Sequence, residues 1–147
     1  MGTILHRVDR RSRAVWYLKK FLLTPYLWGG DDFSGFDCSG LVIEVLQGVG
    51  TLPHGSDFTA DQLYKRFEPS GITGQLRRGC LVFWFRNNKA THVEMLIDRK
   101  RTIGASGGGS ATTTKDDAIR DNAFVKMRPI DYRGKSYKIV DPFKEGD

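Results

Sequence analysis

A chain of 147 residues has room for one ordinary domain and hardly for two. Its 39% hydrophobic and 27% charged residues give the balance of a folded soluble protein, and 17 Gly with 5 Pro fall short of low-complexity composition, so global disorder is excluded. The formal net charge of +6 suits polyanions (nucleic acid, anionic lipid or anionic cell-wall polymers), while two cysteines, Cys38 and Cys80, are too few to staple a disulfide scaffold.

Arg7, Arg10, Arg11 and Arg13 imitate the basic start of a signal peptide, but Lys19 and Lys20 interrupt the apolar run that should follow. The uncharged stretch from Phe21 to Gly30 is too short to span a bilayer. The expectation is a protein without signal peptide or membrane span, its N-terminus part of the fold. Ala14, Val15, Leu18, Phe21 and Leu22 recur at helical spacing, which predicts a helix from Ser12 to Leu23, closed by Thr24-Pro25. Trp28 to Gly35 reads as a glycine-rich, acidic loop. Cys38 to Gln47 reads as a buried central helix that stops at Gly48. Thr59 and Gln62 have the spacing of a capping box, which predicts a surface helix running to about Phe67 and ending before Pro69.

Beyond that point the period changes. Leu81 to Phe85, His92 to Ile97 and Arg101 to Ala105 read as strands, with Asp98-Arg99-Lys100 as a hairpin turn between the last two. Ser106 to Lys115 reads as a mobile loop, Phe124 to Ile130 and Tyr137 to Val140 as further strands, and the final residues as a fraying end. Its Gly107-Gly108-Gly109-Ser110 run lacks the Gly-Lys-Ser/Thr ending of a phosphate loop; a flap beside a cleft and an inert loop both fit it. Helices first and antiparallel strands second make an α+β pattern.

The chemistry concentrates where a glycine-rich loop enters the central helix, at Asp37-Cys38-Ser39-Gly40. The first turn of a helix presents unpaired N–H groups and partial positive charge, which favour thiolate over thiol and can hold a developing oxyanion. A free cysteine is ordinarily a small buried hydrophobe. The flanking Asp, Ser and glycine loop reverse that reading, because a core cysteine has no need of them. A thiol nucleophile needs a base. His6 sits in a basic surface segment and His54 in a Leu-Pro-His-Gly turn, whereas His92 opens an apolar strand that fixes its direction. His92 is therefore the candidate base, against the alternative of a half-buried strand histidine with one hydrogen bond.

These residues carry a resemblance. Tyr26-Leu27-Trp28-Gly29-Gly30, Asp37-Cys38-Ser39-Gly40-Leu41-Val42, the Gly79-Cys80-Leu81-Val82-Phe83-Trp84 strand and the following His92-Val93, in that order, resemble the NlpC/P60 family of papain-like cysteine peptidases from about Tyr26 to Ser106. Cys38 precedes His92, as in the unpermuted branch. The resemblance implies a single catalytic domain of papain-like α+β fold, with the nucleophile helix packed on an antiparallel sheet. It implies Cys38 as nucleophile, His92 as base and then acid, and Tyr26, Asp37 and Ser39 as substrate-binding residues. The implied reaction is hydrolysis of an amide bond in the peptidoglycan stem peptide, between the γ-carboxyl of D-glutamate and a diamino acid, with no cofactor or metal. Chemistry agrees that a carboxylate suits an ammonium and a phenol can donate to an oxyanion.

Two positions depart from the family pattern. The third polar residue that orients the histidine falls, 12 residues past His92, on Gly104, which has no side chain. Ser106 shares that face two residues on and is the substitute candidate, beside a backbone carbonyl or a water. Cys80 stands where the family has Asp; it reads as a strand-start thiol, with an inactivating Cys38–Cys80 disulfide as the alternative. The leading expectation is a cysteine peptidase acting on peptidoglycan. The absent signal peptide fits a bacteriophage or prophage enzyme, made in the cytoplasm and acting at the wall after lysis or within a virion, with phage structural proteins as partners. Two rivals remain: a degenerate wall-binding or tail-structural module, motivated by Gly104, and a cytoplasmic cysteine amidase or acyltransferase. No nucleic-acid partner is expected, because the basic residues are scattered and no binding motif accompanies them.

Overall fold

The computed structural model describes residues 9–32 and 34–143. His6, Arg7 and the frayed end expected after Phe143 lie outside the described residues. Asp9 starts helix α1 (Arg10–Lys19), its carboxylate accepting from the Ser12 N–H at 2.6 Å. The chain then turns, with Leu23 at φ 70, and the helix stops four residues short of the expected Leu23. A two-stranded ribbon, β1 (Asp31–Asp32) and β2 (Gly35–Phe36), leads into α2 (Cys38–Gly48). Leu41, Val42, Val45 and Leu46 of α2 are fully buried, each contributing about 1.5–3 kcal/mol of burial. This is the expected central helix.

Helix α3 (Ala60–Gly71) starts with the predicted capping box: Thr59 accepts from the Gln62 N–H at 3.2 Å, and Gln62 accepts from the Thr59 N–H at 2.9 Å. Its expected end before Pro69 is wrong, because Pro69 lies inside the helix. Tertiary pairing carries the last turn past the proline. The Ile72 N–H donates to the Glu68 carbonyl, the Asp141 N–H donates to the Gly71 carbonyl at 2.8 Å, and β3 (Ile72–Thr73) pairs with the last strand.

One antiparallel six-stranded sheet follows, with β4 (Leu81–Arg86), β5 (Lys89–Leu96), β6 (Arg101–Ser106), β7 (Phe124–Pro129) and β8 (Tyr137–Val140) in the order β3-β8-β4-β5-β6-β7. The α+β expectation therefore holds. The Asp98 carboxylate accepts from the Lys100 and Arg101 N–H groups and builds the predicted β5–β6 hairpin turn. The sequence reading passed over the short helix α4 (Lys115–Asp121), which follows a second capping box between Thr114 and Asp117. The loop before it is tied down: the Thr112 carbonyl accepts from the Trp28 N–H at 2.7 Å, and its buried hydroxyl donates to Asp121 at 2.9 Å.

The helices cover one face of the sheet, where Leu81, Phe83, Val93, Met95, Ile103 and Ala105 join α1, α2 and α3 in the main core. The other face carries a smaller cluster of Cys80, Val82, Trp84, Leu96, Ile130 and Ile139. No helix among the described residues is long and apolar enough to cross a membrane.

Candidate active site

Asp37 is the N-cap of α2, and this local choice places Cys38 at the first helical position. Its Oδ1 accepts from the Gly40 N–H at 2.7 Å and its Oδ2 from the Gly29 N–H at 3.2 Å, which ties the glycine-rich loop to the helix. Gly40 is required there, because a Cβ would sit 2.1 Å from the Gly30 carbonyl oxygen. Cys38 is half-buried and opens onto a cleft of about 420 Å³. Tyr26, Trp28, Asp37, Ser39, His92 and Ser106 also line it, so the structure brings every expected site residue together. His54 is exposed and lies elsewhere.

His92 is aimed by an irregularity in its strand. Trp84 pairs with His92 and Phe85 with Ala90, leaving Thr91 as the extra residue of a bulge, a device that re-aims side chains. The Asp61 carboxylate accepts from the Ala90 N–H at 3.0 Å and pins the strand where the bulge begins. The imidazole is 5% exposed and packs on Trp84, ring centroids 5.6 Å apart.

The group that orients His92 is Glu94, which the sequence reading missed. The carboxylate is fully buried and its Oε2 lies 2.7 Å from His92 Nε2. A carboxylate can only accept, so the proton sits on Nε2 and the lone pair of Nδ1 is left for the thiol. Thr102 donates its hydroxyl to Glu94 Oε1 at 2.6 Å, and Tyr132 donates to Oε2 at 2.6 Å. With three donors the buried charge is satisfied, as a charge removed from water must be.

Gly104 is the counterpart of this arrangement. A Cβ at position 104 would lie 2.2 Å from the Glu94 Cγ, so the carboxylate reaches its donors across space that only a glycine leaves open. The expected substitute, Ser106, is corrected: it lines the cleft, but its Oγ makes no hydrogen bond, and His92 is held by the neighbouring strand. The available signal was spacing, since residues i and i+2 of a strand share a face and His92-Val93-Glu94 puts a carboxylate beside the imidazole. Tyr132, 38 residues further on in the 3-10 turn Ile130–Arg133, had no such signal.

The electrostatics follow the geometry. Burial alone would lower the His92 pKa, but hydrogen bonds to Cys38 and Glu94 and their charges outweigh it and push it up to about 9. Burial would raise the Glu94 pKa, and His92, Thr102 and Tyr132 together hold it below the ordinary carboxylate value. Burial, then the Cys38 and Asp37 charges, raise the Tyr26 phenol well above its usual range, so it stays a proton donor. Burial also raises Asp37, against the N–H groups of Gly40 and Gly29. Cys38 and Cys80 are both free thiols, so the inactivating disulfide is absent.

A helix-terminal thiol, a strand imidazole and a buried carboxylate on an α+β domain define a thiol–imidazole–carboxylate site. The chain belongs to the NlpC/P60 family, whose model matches residues 23–128. It is 34% identical over 102 residues to the peptidoglycan endopeptidase RipA of Mycolicibacterium smegmatis, covering 58% of this chain and 19% of RipA. The chain spans under a fifth of the length of the curated relatives it matches. Its fold is similar to the NlpC/p60 domain of the peptidoglycan hydrolase SagA, with TM-score 0.61, 24% identity, and 90% of this chain and 98% of that one covered. It is similar also to RipD of Mycobacterium tuberculosis, a non-catalytic NlpC/p60 protein adapted to peptidoglycan binding, with TM-score 0.65, 18% identity, and 91% and 98% covered.

Proposed function

We propose that this chain is a cysteine endopeptidase that hydrolyses an amide bond of the peptidoglycan stem peptide, between the D-glutamyl γ-carboxyl and a diamino acid. The observation that carries the reading is the complete relay: Cys38 at a helix N-terminus, His92 against it, and Glu94 on the far ring nitrogen. Kinship with peptidoglycan hydrolases and the net charge of +6, which favours an anionic wall, support the substrate class.

Nδ1 of His92 takes the thiol proton, and the Cys38 thiolate attacks the carbonyl carbon. The free N–H groups of the first turn of α2 and the Tyr26 hydroxyl donate to the oxyanion. The imidazolium then protonates the departing amine, the C–N bond breaks, and a thioester to Cys38 remains. Water gives a proton to His92 and attacks the thioester, which releases the acid and restores the thiol. Asp37 and Ser39 border the acyl part, where a carboxylate suits a substrate ammonium.

A binding-only role drew its motive from Gly104, and Glu94 supplies the orienting group that Gly104 lacks. The test is incubation of purified peptidoglycan with wild-type protein and with Cys38→Ala, followed by mass spectrometry. New amine and carboxyl ends that need Cys38 support the peptidase; identical digests overturn it.

A further inference from the structure

Two polar groups in the cleft have no part in the relay. Ser106 is 4% exposed and its Oγ has no hydrogen-bond partner, although it lines the cleft. A buried hydroxyl without a partner carries a free-energy cost that a bound ligand can remove. Arg133, at the end of the 3-10 turn, lines the same cleft and pairs with no carboxylate among the described residues.

The two groups converge. Burial and the Glu94 charge raise the Tyr132 hydroxyl's pKa, and Ser106 and Arg133 both pull against them, which places both beside that hydroxyl. The Tyr132 hydroxyl itself is committed to Glu94, and Glu94 to His92. The leaving amine must approach His92 to be protonated, so groups flanking this network border the leaving residue. Asp37, on the helix wall next to Cys38, borders the acyl side instead. The cleft is thus negative at one wall and positive at the other.

We propose that Arg133 and Ser106 form a carboxylate-binding subsite that selects substrates with a free carboxylate on the residue leaving as the amine. This deepens the peptidase reading and rests on it for the direction of the substrate. A guanidinium presents a planar fork that matches a carboxylate, and a hydroxyl beside it donates a further hydrogen bond. A carboxamide at the same place offers one acceptor and no charge.

The test uses two synthetic stem peptides that differ only in carboxylate or carboxamide on the leaving residue. Calorimetric binding is measured on Cys38→Ala protein, so that nothing is cleaved, and repeated with Arg133→Gln and with Ser106→Ala in that background. The carboxylate peptide should bind about tenfold more tightly than the carboxamide, the preference should fall to within about twofold in Arg133→Gln, and Ser106→Ala should lose part of it. In wild-type protein the same preference should lie in KM and leave kcat little changed. Equal affinity for both peptides, binding of neither, or a preference that survives Arg133→Gln overturns the subsite. The two readings fail separately. Cys38-dependent cleavage of both peptides at equal rates removes the subsite and keeps the peptidase; discrimination in binding without cleavage keeps the subsite and removes the peptidase.

Discussion

The molecule contains two sets of cysteine, cation and carboxylate, and only one of them can do chemistry. In the cleft, Cys38, His92 and Glu94 line up from a helix N-terminus into the sheet. Elsewhere, Cys80 lies 3.9 Å from the Arg11 guanidinium, which also holds Asp141 through two hydrogen bonds of 2.7 and 3.0 Å. Both carboxylates are buried and both are paired. The difference lies in the middle member and in access. An arginine cannot take a proton, whereas an imidazole can. Cys80 is 1% exposed and burial raises its thiol pKa, while Cys38 faces a cleft open to substrate. The Arg11 set joins α1 to the start of β4 and the end of β8, since the guanidinium also donates to the Arg78 carbonyl at 3.0 Å and Asp141 accepts from the Phe143 N–H. It is a structural clamp.

Substitutions should separate the two sets, and the largest effect belongs to the nucleophile. Cys38→Ala should lower turnover of peptidoglycan by about 10³-fold or more, with the melting temperature nearly unchanged. Comparable turnover in that variant would place the chemistry elsewhere. Glu94→Gln keeps the shape but removes the charge on His92, and a loss of about 10²–10⁴-fold in kcat is expected from enzyme assays. In the clamp, Arg11→Met leaves Asp141 buried without its cation. Urea titration should show a loss of about 3–5 kcal/mol, with the specific activity of the folded fraction preserved. A fall in kcat without a loss of stability would contradict a purely structural Arg11. The smallest effect is that of Cys80→Ala, which should cost about 1–2 kcal/mol of stability and leave turnover alone.

The comparison also explains what could be read from the chain. Asp37-Cys38-Ser39-Gly40 was legible because it is local: a cap, a thiol and a glycine forced by the approach of Gly30 lie within four positions. The capping box at Thr59 and the hairpin turn at Asp98 were legible for the same reason. Pro69 misled because propensity ended the helix, while pairing of β3 with β8 kept it going. Glu94 was missed for another reason. The orienting group was sought on β6, where Gly104 stands, and the two positions exchange roles only once strands β5 and β6 lie side by side. The Arg11–Asp141 clamp joins residues 130 positions apart, and no local signal announces it.

The His92 pKa of about 9 lies above the ordinary 6.5, so its charge stabilises the fold fully below about pH 6.5, and that contribution is lost as pH rises through about 9. The same proton is the one delivered to the leaving amine. Glu94 helps to hold it there, so removing the Glu94 charge must lower the His92 pKa. The most direct test is the pH profile of kcat/KM for wild-type protein and Glu94→Gln on one stem peptide. The relay predicts a wild-type alkaline limb near pH 9 and a Glu94→Gln limb displaced toward lower pH. Alkaline limbs that coincide in the two proteins would contradict it.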